Sequence, residues 1–202
     1  MCIGGYSISC ALRKAQSHLI NNINNWCKYT DNKLIITNFA ARFKRICTIM
    51  VRKATKRDVQ AIIELLHQVD MVHHVIRPDL FKPNTTKYNE QELEALLEDE
   101  RKPVFVYDDG QVLGHAFCLI TEVKGHKLLQ NIKTLYIDDI CVDEKARGKH
   151  VGTALYEHVR DYAKSIGCNN ITLNVWEGND PALSFYRNMG MKVQKTTMEI
   201  IL

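Results

Sequence analysis

The feature that most constrains this chain is the stretch from Leu135 to Leu155, which combines a strand, a short charged loop and the start of a helix. The β-rich run Leu135 to Val142 predicts the strand, and an amphipathic helix is expected from Val151 or Gly152 onward. A glycine-bearing turn between a strand and a helix gathers unpaired backbone N–H groups at the positive end of the helix dipole. The sequence therefore predicts an anion-binding site at this turn.

Charge is distributed unevenly along the 202 residues, which carry a net charge of +4. Residues 1–49 hold seven Lys and Arg against the single acid Asp31, a balance of +6, and the remaining 20 basic and 22 acidic residues give −2. Because the excess belongs to the first segment, we expect no nucleic-acid footprint on the folded part. We predict a basic extension of unknown role at 1–49 and a domain at 50–202. We expect the natural protein to start at Met50. The alternative is that residues 1–49 form a functional tail.

Cysteine and histidine patterns exclude several classes of protein. The chain has seven cysteines, an odd number at irregular spacing, which favours reduced thiols in a cytoplasmic protein. The adjacent histidines His73 and His74 would point in different directions, so no metal site is expected. No apolar run approaches the roughly 18 residues of a membrane span, and no membrane association is predicted.

From Met50 onward the local patterns predict a regular succession of elements. Apolar periodicity, a Thr55 to Asp58 capping box and an Asp-Gly turn carry this prediction. The elements are, in order, strand Ile49 to Lys53, helix Val59 to Val69, an irregular segment His67 to Lys87, helix Tyr88 to Glu100, strands Val104 to Tyr107, Val112 to Glu122 and Leu135 to Val142, a helix ending at Gly167, strand Ile171 to Val175, helix Asn179 to Gly190 and strand Lys192 to Ile200.

Three motifs in this order make residues 50–202 resemble the GCN5-related N-acetyltransferase (GNAT) superfamily, and in particular its small bacterial-type members. The turn from Arg147 to Gly152 is similar to the family's pyrophosphate loop, R/Q-x-x-G-x-G/A. The segment Asn179 to Gly190 is similar to its N-x-x-A-x-x-F-Y-x-x-x-G-F pattern, with Tyr186 as the tyrosine. The pair Asp138-Asp139 lies where many members have an acid on the central strand.

The resemblance implies an α/β (α+β) fold with a mixed central sheet of six to seven strands, splayed open where the cofactor binds. It also implies transfer of the acetyl group of acetyl-CoA directly to a primary amine, with Tyr186 as the acid that protonates the thiolate. The residues expected to contact the coenzyme through the loop, the strand backbone and an amide side chain are Ile140, Cys141, Val142, Arg147, Gly148, Lys149, His150, Val151, Gly152, Thr153 and Asn179.

The base that deprotonates the amine is predicted to be Asp138. An ordinary aspartate, with a pKa near 4, is about six pKa units too weak to take a proton directly from an ammonium near 10. Asp138 is therefore expected to act through water. Strand alternation predicts that Asp138 rather than Asp139 shares a face with Ile140 and Val142. Asp139 is expected either to contact the acceptor amine or to form a structural ion pair or hydrogen-bonded pair.

Two residues depart from the family pattern. His150 stands where the first loop glycine is usual, and its side chain either is tolerated or contacts a phosphate oxygen. Met191 replaces the usual phenylalanine in the core. The acceptor stays open between a small amine or polyamine and a peptide amine. The alternative function is a non-catalytic acyl-CoA-binding regulatory module. Weak homodimers are common in the family, and the sequence leaves the oligomeric state open.

Overall fold

A mixed sheet of five strands organises residues 50–202, the part of the chain that the computed structural model describes. The strands lie side by side in chain order: β1 (Val51–Lys53), β2 (Val104–Asp108), β3 (Val112–Val123), β4 (Ile132–Val142) and β5 (Asn170–Leu173). The first four pair antiparallel, and β5 joins β4 in parallel. The predicted extension at 1–49 lies outside the described residues.

Four α-helices cover the two faces of this sheet. They are α1 (Val59–Ile76), α2 (Glu90–Leu97), α3 (Val151–Ser165) and α4 (Asp180–Asn188), and two short 3-10 turns span Lys56–Asp58 and Glu144–Ala146. The helices α1 and α2 pack on one face, and α3 packs on the other. Within this part of the chain, no helix has both the length and the apolar character that a membrane crossing requires.

Strand alternation divides the core into two layers. On β2, Phe105 and Tyr107 face α3, whereas Val104 and Val106 face α1 and α2. Leu135 on β4 is fully buried in the α3 layer. The strand that was predicted to be central is therefore anchored by its side chains against the helix that follows it.

The sheet opens between β4 and β5. Their pairing ends at Ile137 and Leu173, yet β4 continues to Val142. The last residues of β4 therefore have no strand partner on that side within the described chain, and their backbone groups are available to a ligand. This is the splay that the family resemblance implied.

Two expectations about the first half of the domain need correction. The segment His67 to Lys87 is not irregular throughout, because α1 continues to Ile76. Pro78 disfavours helix only at the residue before it, so the helix can run to the position preceding Arg77. The second helix is shorter than predicted, Glu90–Leu97, and begins with a capping box in which Asn89 accepts from the amide of Glu92.

The predicted last strand, Lys192 to Ile200, is wrong, so the sheet has five strands where six to seven were expected. Residues 191–202 adopt no strand structure. Val193, Met198 and Ile200 are 70%, 86% and 82% exposed. A β-rich sequence becomes a strand only when it pairs with an edge, and this segment pairs with no strand of the described sheet. The fold class is nevertheless confirmed.

One ion-pair network connects the first helix to the sheet. Arg52 on β1 donates to Asp58 at 2.8 Å and to Asp108 on β2 at 2.6 Å. Burial alone would raise the pKa of Asp58, but hydrogen bonds from Arg52 and from the amide and hydroxyl of Thr55 outweigh burial and lower it to about 2. This carboxylate therefore stabilises the folded chain only while it is ionised.

We expect Gly114→Ala to destabilise the domain by about 2 kcal/mol or more, because a Cβ there would lie 2.7 Å from the carbonyl oxygen of Cys141 and 3.1 Å from Leu155. The matched control is Gly152→Ala, where the nearest atom would be at an ordinary 3.5 Å. That change should be neutral or stabilising by about 0.5 kcal/mol. Urea unfolding measures both, and equal stabilities would contradict the close approach of β3 to β4.

Asp58→Asn should cost about 3 kcal/mol at pH 7, because it leaves Arg52 without its buried partner. The lowered pKa of Asp58 means that its contribution is complete above the ordinary value near 3.9 and is lost as the pH falls toward 2. The acid dependence of unfolding should thus be steeper in the parent than in the variant. Asp79→Asn, in an exposed pair with Arg77, is the control and should change the free energy of unfolding little.

Candidate active site

The turn before α3 leaves several backbone amides at the start of the helix without an acceptor in the helix. Gly148 adopts a φ of 74°, and α3 begins at Val151 directly after the turn. The helix's own hydrogen bonding begins with Ala154, which donates to His150 at 3.0 Å. The amides of Val151, Gly152 and Thr153 therefore have no intrahelical acceptor. Together with the helix dipole, they can hold the negatively charged oxygens of a phosphate.

His150 occupies this turn in the left-handed conformation, with a φ of 62°. A residue with a β-carbon adopts this conformation at a cost of roughly 1–2 kcal/mol. The backbone at His150 is therefore in a conformation that glycine would adopt without that strain. The side chain of His150 makes no capping hydrogen bond to the helix. Arg147 and Lys149 are exposed beside it, and Arg147 donates to the carbonyl of Val142 at 3.4 Å. The cationic side chains thus border the amide cluster.

A β-bulge brings both candidate bases to one cleft. Phe117 pairs with Asp139 and Cys118 pairs with Ile137, so Asp138 is left unpaired on β4. Both aspartates line the cleft between the ends of β4 and β5. The bulge interrupts the alternation of side chains, so alternation does not separate Asp138 from Asp139 as candidate bases. Ile140 packs against the α3 layer and also lines this cleft.

Asp138 is paired with the ammonium of Lys87, which precedes α2. Burial alone would lower the pKa of Lys87, but the hydrogen bond and charge of Asp138 outweigh it and raise the pKa. The amide of Lys87 also donates to Asp70 on α1 at 3.0 Å. Burial and the charge of Asp139 raise the pKa of Asp70, against the hydrogen bond from Lys87. Lys87 therefore contacts carboxylates from both α1 and β4.

Asp139 has a different partner, the fully buried His115 on β3. The two atoms His115 Nε2 and Asp139 Oδ2 are 3.3 Å apart, and the Asp139 side chain is 12% exposed. The ring of His115 packs edge-on against Phe117, with 4.9 Å between the centroids. A buried histidine on the strand beside the candidate base was not identified from the sequence.

Tyr186 and Asn179 reach the same cleft from α4. Burial, followed by the charge of Asp139, raises the pKa of Tyr186, so its phenol stays protonated and can donate. Asn179 is the residue that caps α4, and its Oδ1 accepts from the amide of Ala182 at 3.3 Å. The side chain of Asn179 is thus engaged with its own helix while the residue borders the cleft.

Aromatic side chains form a further wall of the cleft. Trp176 contacts Phe81 edge-on at 5.5 Å, and Phe81 lies 5.1 Å from the ring of His73. The guanidinium of Arg77 stacks over Trp176 at 5.6 Å. Aromatic faces together with carboxylates form a surface that attracts organic cations. Trp176 did not stand out in the sequence, because it comes from a segment separate from His73 and Phe81.

Cys141 has the geometry of a core residue and not of a nucleophile. Its thiol donates to the carbonyl of Leu65 at 3.3 Å, and burial raises its pKa to about 12. Cys118, Cys141 and Cys168, the cysteines of the described chain, are all free.

The backbone of β4 at Ile140 to Val142 lies along the open edge. Within residues 50–202, no group of three or more His, Cys, Asp or Glu could hold a metal ion.

Comparisons with known proteins agree with this geometry. Residues 69–191 match the sequence profile described as Acetyltransferase (GNAT) family. Streptothricin acetyltransferase of Streptomyces lavendulae is 41% identical over 92 residues, which are 46% of this chain and 44% of that protein. Glucosamine 6-phosphate N-acetyltransferase of Arabidopsis thaliana is 26% identical over 155 residues, which are 75% of this chain and 95% of that protein.

Solved structures share the fold. A mutant of the BH1408 protein of Bacillus halodurans has a TM-score of 0.72 and 32% identity, covering 75% of this chain and 98% of that one. An aminoglycoside acetyltransferase from an uncultured soil metagenomic sample has a TM-score of 0.58 at 18% identity, over 75% and 93% of the two chains, and this likeness concerns the fold alone. Because the profile match covers more than half of the sequence, the chain belongs to the acetyltransferase (GNAT) family.

Proposed function

We propose that this protein is an N-acetyltransferase that moves the acetyl group of acetyl-CoA directly to a primary amine. The observation that carries the proposal is the convergence on one cleft of a protonated phenol, Tyr186, and two carboxylates, Asp138 and Asp139. This cleft adjoins the unpaired edge of β4. Family members use acetyl-CoA as the acetyl donor, and the amide cluster at α3 fits the pyrophosphate of that donor.

The proposed roles follow from the chemistry that each group can perform. The amides of Val151, Gly152 and Thr153 hold the pyrophosphate, and Arg147 and Lys149 supply positive charge. The open edge of β4 from Ile140 to Val142 pairs with the amides of the pantetheine arm. An amide of the same strand polarises the thioester carbonyl. Tyr186 protonates the departing thiolate, and a carboxylate of the bulge receives the proton of the amine.

The charge of the cleft supports a small cationic amine as the acceptor. Asp70, Asp138 and Asp139 surround the region where Lys87 places its ammonium, and Trp176 adds an aromatic face. The relatives named for streptothricin and glucosamine 6-phosphate support an acceptor of small-molecule size. Polyamines and peptide amines belong to the same chemical class and are tested beside them.

An amine panel tests the proposal directly. The full chain is mixed with acetyl-CoA and with spermidine, glucosamine 6-phosphate, streptothricin or a short peptide with a free amine, and the released CoA thiol is measured. At least one amine should accelerate thiol release. Binding of CoA in a calorimetric titration without turnover on any amine would instead support a non-catalytic acyl-CoA-binding module.

Tyr186→Phe should lower kcat by about 100-fold, because the variant lacks the proton for the thiolate. The affinity for CoA, measured by calorimetry, should change little. Tyr162→Phe is the matched control, since Tyr162 packs against Phe105 near the C-terminal end of α3 and this variant should turn over at the parental rate. A Tyr186→Phe enzyme as fast as the parent would remove the acid assignment.

His150→Gly should raise the free energy of unfolding by about 0.5–1 kcal/mol, because glycine adopts the left-handed turn without strain. The dissociation constant for CoA should stay equal or fall, since the amides at the start of α3 are retained. Lys149→Gly is the control. Lys149 does not have a positive φ, so glycine relieves no strain there, and this variant should have a lower free energy of unfolding than the parent. Weaker CoA binding in His150→Gly would show that the histidine ring itself contacts the coenzyme.

A further inference from the structure

The two neighbouring carboxylates of the bulge, Asp138 and Asp139, contact different partners. Asp138, 32% exposed at its side chain, contacts an ammonium ion, that of Lys87. An ammonium in contact with a carboxylate stabilises its ionised form and occupies one of its oxygens. Lys87 thus already occupies Oδ2 of Asp138. Asp139 is not in contact with that ammonium, and its closest charged or titratable partner is the imidazole of His115.

The imidazole of His115 fixes the orientation of Asp139. An ionised carboxylate only accepts hydrogen bonds, so the proton of the pair belongs on His115 Nε2. The other ring nitrogen, Nδ1, is buried and has no hydrogen-bond partner within residues 50–202. Because His115 engages Oδ2, the second oxygen of Asp139 is the one that can face a ligand in the cleft.

Asp139 is also the carboxylate close to the proposed acid. Its charge is the largest electrostatic contribution that raises the pKa of Tyr186, after burial. Asp138 instead raises the pKa of Tyr136, after burial. An acid and a base that serve the same reacting centre must both lie within reach of it.

From these contacts we infer that Asp139, positioned by His115, receives the proton of the acceptor amine, and that Asp138 and Lys87 bind charge at the acceptor site instead. This inference rests on the proposed function. It replaces the expectation, drawn from strand alternation, that Asp138 is the base. His115 is a positioning residue, since it acts through Asp139 and does not touch the substrate.

The proton inventory of the step balances. The acceptor ammonium gives one proton to Asp139 through water, and the amine then attacks the carbonyl carbon of the thioester. A C–N bond forms and the C–S bond breaks, and the thiolate takes the proton of Tyr186. The nitrogen loses its second proton, which restores the phenol through solvent, and Asp139 releases its proton to solvent. The products are the acetylated amine, CoA thiol and one proton.

A pair of adjacent substitutions separates the two carboxylates. Asp139→Asn should lower kcat by about 100-fold or more, with the KM for acetyl-CoA unchanged. Asp138→Asn should lower kcat by less than about 10-fold and act mainly on the KM of the amine. The assay uses the full chain, acetyl-CoA and spermidine, glucosamine 6-phosphate or streptothricin. An equal or larger loss of kcat in Asp138→Asn overturns the inference.

Variants of His115 test the positioning role. His115→Leu should lower kcat about 10-fold or more without changing CoA affinity, and His115→Gln, which keeps an N–H donor, should recover most of that loss. Equal losses in both folded variants, or no loss in either, contradict a positioning role. If His115→Leu does not fold, the pair of aspartate variants decides alone. A parent that releases no thiol with any amine refutes the proposed function itself, before any variant is compared.

Discussion

The parallel pairing of β4 with β5 ends at Ile137, and the candidate site depends on that limit. If the two strands paired along their whole length, the backbone of β4 to Val142 would be satisfied by protein and no ligand could bind there. The bulge at Asp138 occurs where the pairing ends. A local irregularity in one strand thus creates the open edge and turns two carboxylates into the cleft beside it.

The charged and hydrogen-bonded partners of the two aspartates and of Tyr186 also differ. The ammonium of Lys87 contacts Asp138, whereas Asp139 contacts the imidazole of His115. The charge of Asp139 and burial together keep the phenol of Tyr186 protonated. The adjacent acidic residues are therefore not equivalent, although the sequence presents them as a symmetrical pair.

Local patterns predicted most of the fold, including the turn before α3. The strand, the turn with Gly148 and the helix from Val151 depend on neighbouring residues, and they were found where expected. Other features depend on pairing between distant segments. These are the bulge, the contact of Asp139 with His115 and the absence of the last strand. A strand-alternation argument could not detect an extra residue at Asp138, and the β-propensity of residues 192–200 could not provide an edge to pair with.

A crystal structure of the full chain with CoA is the most direct test of the central claim, that the opening between β4 and β5 and the start of α3 form one coenzyme site. The account predicts pyrophosphate oxygens within about 3 Å of the amides of Val151, Gly152 and Thr153. It also predicts the pantetheine arm along Ile140 to Val142, with its sulfur near Tyr186. Coenzyme bound elsewhere, or a pantetheine arm that does not follow β4, would contradict it.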